Sequence, residues 1–179
     1  MRSISELAGT ELLWEQPART KRAFELHAGE GLLAVLRFQR GSLADAAVAD
    51  CRWTFKRQGF WHPRVTVRMP GADTDLAVFR ASWTGGGTLE FAAGNVARLS
   101  VANVWHSEWL WQGKDEAPLA RFKARQGFMT TSALVDISAG AGTSEDLPLL
   151  VVLGWYLILL YSEDSAAAAS TAAVVATMG

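Results

Sequence analysis

Cysteine is almost absent from this chain, in which Cys51 stands alone. A single cysteine excludes an intrachain disulfide framework and fits a reducing compartment. The three histidines, His27, His62 and His106, lie far apart and have no metal-binding spacing. We therefore expect neither a metal site nor a cofactor.

An excess of charge of either sign is also missing, because the net charge is −1 at pH 7. Nucleic-acid-binding domains normally carry a strong basic excess, so no nucleic-acid partner is expected. The N-terminal segment has no long apolar stretch behind Arg2, and no secretory signal is visible. These absences predict a cytoplasmic location, with membrane association as the alternative.

Catalytic motifs are equally scarce. Gly85-Gly86-Gly87 lacks the Lys-Ser/Thr ending of a phosphate-binding loop and predicts a hairpin turn. Glu108 stands among tryptophans, but strand alternation places it on the opposite face from them. No nucleophile, base and orienting group come together in the sequence, so we expect a protein that is not an enzyme.

Short runs of apolar and β-branched residues, separated by glycine or proline, are what the chain has in abundance. This pattern is typical of all-β proteins. It predicts strands at 12–16, 22–27, 32–38, 48–57, 64–69, 76–83, 88–92, 97–101, 104–112, 119–124 and 130–137. Residues 44–47 remain open as a helical turn. In the strand 104–112, alternation places Trp105, Trp109 and Trp111 on one face. Eleven or twelve strands predict a barrel, because closure removes the exposed edges of a sheet.

The uncharged segment 147–161 (LPLLVVLGWYLILLY) predicts a helix that is apolar on every side. Such a helix must be buried in a protein core or in a membrane. It spans roughly 22 Å, against about 30 Å for the hydrocarbon core of a bilayer. Its flanks hold Glu145, Asp146, Glu163 and Asp164 but no nearby lysine or arginine to anchor a membrane span. The core interpretation is favoured, and a membrane segment at 147–161 is the alternative.

Strands and helix together predict a mainly β fold: a closed antiparallel barrel of about 12 strands around one buried C-terminal helix. Residues 1–10 are expected to form a flexible leader, 11–161 a single barrel domain, and 162–179 an alanine-rich tail. The tail has few large side chains, so we expect that the stability of the domain does not depend on it.

A series of short antiparallel strands followed by the hydrophobic helix 147–161 resembles the tubby C-terminal-like superfamily. That superfamily includes tubby proteins, LURP-one-related proteins and phospholipid scramblases. The resemblance covers roughly residues 11–161 and implies a twelve-stranded barrel wrapped around the helix. The calcium-loop pattern, cysteine cluster and proline-rich N-terminal region of scramblases are missing here, which argues against scramblase activity.

The candidate binding residues are basic and aromatic. Arg57, Arg64 and Arg68 lie in a stretch without acidic residues, and Trp61 falls in the loop between Arg57 and Arg64. Aromatic side chains beside cations can engage an anionic membrane surface. We expect a non-enzymatic binding or structural module. The alternative is a membrane-surface protein that binds or moves lipid. Possible partners are anionic lipid head groups or another protein, and a merely solvated barrel face remains open.

Overall fold

The chain closes into a twelve-stranded antiparallel barrel, which confirms the predicted fold class. The structure is a computed structural model that describes residue 4 and residues 9–59, 63–83, 85–126 and 131–177. The strands are β1 (Glu11–Glu15), β2 (Ala23–Ala28), β3 (Gly31–Arg40), β4 (Leu43–Val48), β5 (Cys51–Gln58), β6 (Arg64–Arg68), β7 (Ala77–Ala81), β8 (Gly87–Phe91), β9 (Val96–Val101), β10 (Glu108–Gln112), β11 (Pro118–Gln126) and β12 (Thr131–Ile137). In the described part of the chain after β10, the 3-10 helices Lys114–Glu116 and Ala139–Thr143 precede the α-helix α1 (Leu147–Thr177).

Each strand pairs with its neighbours in sequence, and β1 closes the barrel by pairing with β12. Burial alternates along the strands because successive side chains point to opposite faces of a sheet. In β5, for example, Trp53 and Phe55 are buried whereas Lys56 is exposed. The apolar members of each strand therefore form an inner lining, and the polar members form most of the outer surface.

The segment left open in the sequence is a strand. β4 pairs with both β3 and β5, and the two residues Ala49 and Asp50 form the turn before β5. Ala49 has a φ of 49°, which is unusual for a residue that is not glycine. The predicted single strand 48–57 is therefore wrong at its start, because it joins the end of β4 to β5.

The first half of α1 fills the barrel. Residues from Leu147 to Leu160 are buried, apart from a half-buried Pro148, and their rings pack against the wall. Trp155 stacks on Trp14 with ring centroids 6.1 Å apart, and Tyr156 stacks on Phe38 at 5.4 Å. The helix begins where it was predicted to begin, at Leu147. The barrel therefore buries the apolar segment inside the protein, as the core interpretation predicted.

The helix continues well past its predicted end at Tyr161 and reaches Thr177. Residues 163–170 are exposed. Among the described residues, Leu147–Ser170 is long and apolar enough to cross a membrane, yet 72% of its 18-residue window is buried inside the protein. The segment 147–161, the alternative candidate for a membrane span, lies within the barrel, and its residues from Leu149 to Leu160 are buried there. Ile4, within the expected flexible leader, is also fully buried.

Candidate functional site

The barrel has two different ends. We call the end at which α1 leaves the barrel the upper rim; it holds the connections β1–β2, β3–β4, β5–β6, β7–β8, β9–β10 and β11–β12. The opposite end, the lower rim, holds the other hairpin connections and the start of α1. Hydrogen bonds fix this direction: the Tyr156 hydroxyl donates to the Ser42 carbonyl (2.7 Å), and the Tyr161 hydroxyl donates to the Gly86 carbonyl (2.8 Å).

The two rims carry opposite charge. Among the described residues, the upper-rim connections contain Arg19, Lys21 and Arg22 and no carboxylate. The last two strand residues beside them add Arg40, Arg57, Arg64, Arg80 and Arg125 against Glu15 and Glu108, and α1 adds Glu163 and Asp164 where it leaves the barrel. The lower-rim connections contain one cation, Lys114, and the carboxylates Glu30, Asp50, Asp73, Asp75, Asp115, Glu116, Glu145 and Asp146. A nearly neutral chain is thus strongly polarised along the barrel axis.

Exposed aromatic side chains also concentrate at the upper rim. Trp83 in the β7–β8 connection is 91% exposed, and Trp105 in the β9–β10 connection is 87% exposed, next to Val104 at 93%. We call Trp83 and Trp105 the rim tryptophans. A solvent-exposed indole has no packing role in the monomer, so both rings are available to a partner.

The prediction for Trp105 is wrong. Trp109 and Trp111 are buried on the inner face of β10, but this strand begins only at Glu108. The Asn103 side-chain oxygen accepts hydrogen bonds from the backbone N–H groups of Ser107 (3.0 Å) and Glu108 (3.1 Å). Because of this turn, the alternation of buried and outward-facing residues in β10 does not extend back to Trp105. The polar asparagine inside the apolar run was the sequence signal for a turn here.

The predicted binding residues do not all lie together. Arg57 and Arg64 are at the upper rim, whereas Arg68 is at the end of β6 on the lower-rim side. Arg68 is bound there to Asp75, with its Nε atom 2.6 Å from Oδ1. Trp61 lies outside the described residues, although its connection, β5–β6, belongs to the upper rim.

The basic side chains on the outer face of β11 are largely neutralised. Arg121 pairs with Glu108 across β10 and β11 (3.3 Å), and Lys123 pairs with Asp136 of β12 (3.2 Å). Exposed pairs of this kind contribute little to stability, but they remove net charge from the barrel wall. The unbalanced positive charge therefore belongs to the rim and not to the side of the barrel.

Two ion pairs join α1 to the upper rim where the helix leaves the barrel, and we call their four residues the collar: Arg22, Arg57, Glu163 and Asp164. Arg22 binds Glu163, and Arg57 Nη1 lies 2.6 Å from Asp164 Oδ2. Arg22 also donates to the Gly41 carbonyl (2.8 Å) and lies 4.0 Å above the Phe38 ring. The collar ties the exposed part of α1 to the β1–β2 connection and to β5, and it neutralises Glu163 and Asp164, the carboxylates of α1.

A cleft of about 770 Å³ opens at the lower rim, between the β8–β9 and β10–β11 connections and the start of α1. Its lining includes Arg98, Asp115, Glu116 and Asp146. Asp115 and Glu116 both adopt positive φ angles, of 58° and 59°. None of the described residues that line this cleft is a histidine or a cysteine. In the described part of the chain, no group of three or more metal-ligating side chains converges.

Fold and site together define the class: an up-and-down β-barrel closed around a central helix, with a basic, aromatic rim from which the helix projects. No protein-family model, curated protein or solved structure matches this chain. The resemblance to the tubby C-terminal-like superfamily therefore stays a prediction.

Proposed function

We propose that this protein is a non-enzymatic binding module that docks onto an anionic membrane surface through its upper rim. The single observation that carries the proposal is the coincidence of charge polarity with the rim tryptophans at one end of the barrel. Cations attract anionic head groups, and an indole ring is stable at the boundary between water and lipid. The acidic lower rim is repelled by the same surface, so the polarity also selects the orientation.

A solvated, functionless rim is the main competitor. It accounts for the cations, which keep a protein soluble, but it leaves two almost fully exposed indole rings at one end without a reason. Docking on a protein partner would explain the tryptophans as well. The opposite charge of the two rims favours an extended charged surface as the partner, because such a surface acts on the whole dipole of the molecule.

The proposal is tested by co-sedimentation with vesicles of phosphatidylcholine, with or without phosphatidylserine, at low and high salt. Wild-type protein should pellet only with the anionic vesicles, and less at high salt, because screening acts within about 10 Å at 0.1 M. Each cation near such a surface contributes on the order of 1 kcal/mol, so Arg40→Glu with Arg64→Glu should weaken binding by roughly tenfold or more. Lys114→Glu, a charge reversal at the lower rim, is the control and should not weaken binding.

The rim tryptophans are tested in the same assay. Trp83→Ala with Trp105→Ala should weaken binding at both salt concentrations, because interfacial anchoring of an indole does not depend on screening. Met69→Ala removes an exposed apolar side chain at the lower rim and serves as the matched control. Equal, negligible pelleting of wild type in all four conditions would refute the proposal.

A further inference from the structure

We infer that residues 165–177 of α1, which we call the tail helix, insert into one leaflet of the bilayer on which the upper rim docks. This inference rests on the proposed function, and it adds how the protein is held there. The tail helix contains no charged residue. It belongs to the same continuous helix as the barrel core, and its described side chains, residues 165–170, are exposed.

The collar makes this insertion compatible with the charges of the helix. Glu163 and Asp164 are the last carboxylates before the tail helix, and each is held by a rim arginine. A carboxylate left unpaired at a membrane surface opposes insertion, whereas a paired one adds little net charge. Because the helix is anchored in the barrel core on one side of the collar, the uncharged part must project from the upper rim.

The length of the tail helix fits one leaflet. At 1.5 Å per residue, 165–177 extends roughly 20 Å beyond the collar. A bilayer is about 40–45 Å thick with its head groups, so one leaflet is roughly half of that. With the rim tryptophans at head-group level, the helix ends near the middle of the bilayer. Alanine and valine side chains are compatible with that environment, and the backbone groups within the helix are paired, apart from the carbonyls of its last turn.

A fluorescent label on the full chain tests the depth. In a Cys51→Ser background, Ala169→Cys is coupled to an environment-sensitive nitrobenzoxadiazole (NBD) dye. On vesicles of phosphatidylcholine with phosphatidylserine, its emission should shift to the blue. Lipids spin-labelled on the acyl chain should then quench it more than lipids labelled on the head group. Wild-type protein labelled at Cys51, which is exposed at the lower-rim end of β5, is the matched control and should show neither effect.

A charge substitution provides the second measurement. Ala169→Asp should weaken vesicle binding by roughly tenfold or more, because a carboxylate is costly in the acyl region. Ala93→Asp makes the same change at an exposed alanine of the lower rim and should leave binding at the wild-type level. Both variants should melt at the wild-type temperature, which excludes unfolding as the cause.

Two results would overturn the inference in different ways. If wild type binds anionic vesicles and the rim variants weaken it, but the label at position 169 stays in water, insertion is wrong and surface docking stands. If wild type binds neither kind of vesicle, both the inference and the proposed function are wrong, and a protein becomes the expected partner of the upper rim.

Discussion

Gly154→Ala is expected to destabilise the barrel although alanine is the better helix former. Gly154 lies in the middle of the buried part of α1. A Cβ atom there would lie 2.6 Å from Trp111 Nε1 and 2.7 Å from Phe122 Cζ. Ordinary van der Waals contact begins at about 3.4 Å. Trp111 and Phe122 are fully buried rings on neighbouring strands, so neither can turn aside into solvent.

The magnitude follows from two opposing effects. Alanine gains about 1 kcal/mol over glycine in a helix interior. Overpacking of a dense core costs about 1–3 kcal/mol, and two rigid rings on the wall place this site at the upper end. The expected net loss is about 2 kcal/mol, which lowers the melting temperature by about 4–8 °C for a chain of this size.

Urea unfolding followed by tryptophan fluorescence and far-ultraviolet circular dichroism measures the loss. Gly140→Ala is the control, because a Cβ at Gly140 has no atom within 4 Å, and its free energy of unfolding should stay within about 0.5 kcal/mol of wild type.

A second substitution locates the clash. Trp111 Nε1 has no hydrogen-bond partner among the described residues, so Trp111→Phe removes the nearest atom without breaking such a bond. In the Trp111→Phe background, Gly154→Ala should cost at least about 0.5 kcal/mol less than in wild type. A Gly154→Ala variant as stable as wild type, or strictly additive effects, would refute the packing argument.

Further expected outcomes concern the core, the tyrosines and the tail helix. Leu157→Asp should abolish cooperative melting, because a buried unpaired carboxylate costs more than about 4 kcal/mol, whereas Leu157→Met should cost less than about 1.5 kcal/mol. Tyr156→Phe should cost about 1–2 kcal/mol in urea, because the Ser42 carbonyl loses its donor. Burial raises the pKa of both Tyr156 and Tyr161 above the ordinary value of 10.0, so the folded state retains protons that the unfolded state loses. Stability is therefore full below pH 10 and falls as the pH rises above 10. The double Phe variant has no tyrosine left, and its decline above pH 10 should be shallower; parallel profiles would contradict this linkage. Deletion of the residues after Asp164 should change the melting temperature by only a few degrees, and a large drop would make the tail helix part of the folded core.

The barrel and its central helix could be predicted because both depend on strong, local patterns. Alternation of apolar and polar residues indicated most strands. The uncharged segment that begins at Leu147 had to be buried on every side, which the surrounding strands provide. β4 was harder, because Ala44, Ala46 and Ala47 have a helical propensity that pairing with two neighbouring strands overrides. The end of α1 was also missed, because an alanine-rich segment carries no apolar stripe to distinguish helix from tail.

The candidate site was only partly predictable. The sequence predicted Arg57 and Arg64 as binding residues, and both lie at the upper rim. It did not show that Arg68 lies toward the lower rim, because the two ends of one strand are close in sequence but far apart in space. Trp105 was assigned to a strand because three tryptophans at even spacing matched its period. The difference in charge between the two rims depends on which connections lie at the same end of the barrel. That arrangement can be worked out only when the number of strands and the closure of the barrel are known.

The order of the elements along the chain has a consequence for biosynthesis. The helix that fills the barrel comes after all twelve strands, so the emerging chain has a wall before it has a core. The closing pair joins β1 to β12, the most distant strands in sequence, and such non-local pairing is slow. Until α1 leaves the ribosome, the inner faces of the strands have nothing to cover them, and exposed apolar strands favour aggregation. The protein therefore completes its fold after translation of the helix, and its yield in cells should depend on chaperones that shield the open barrel.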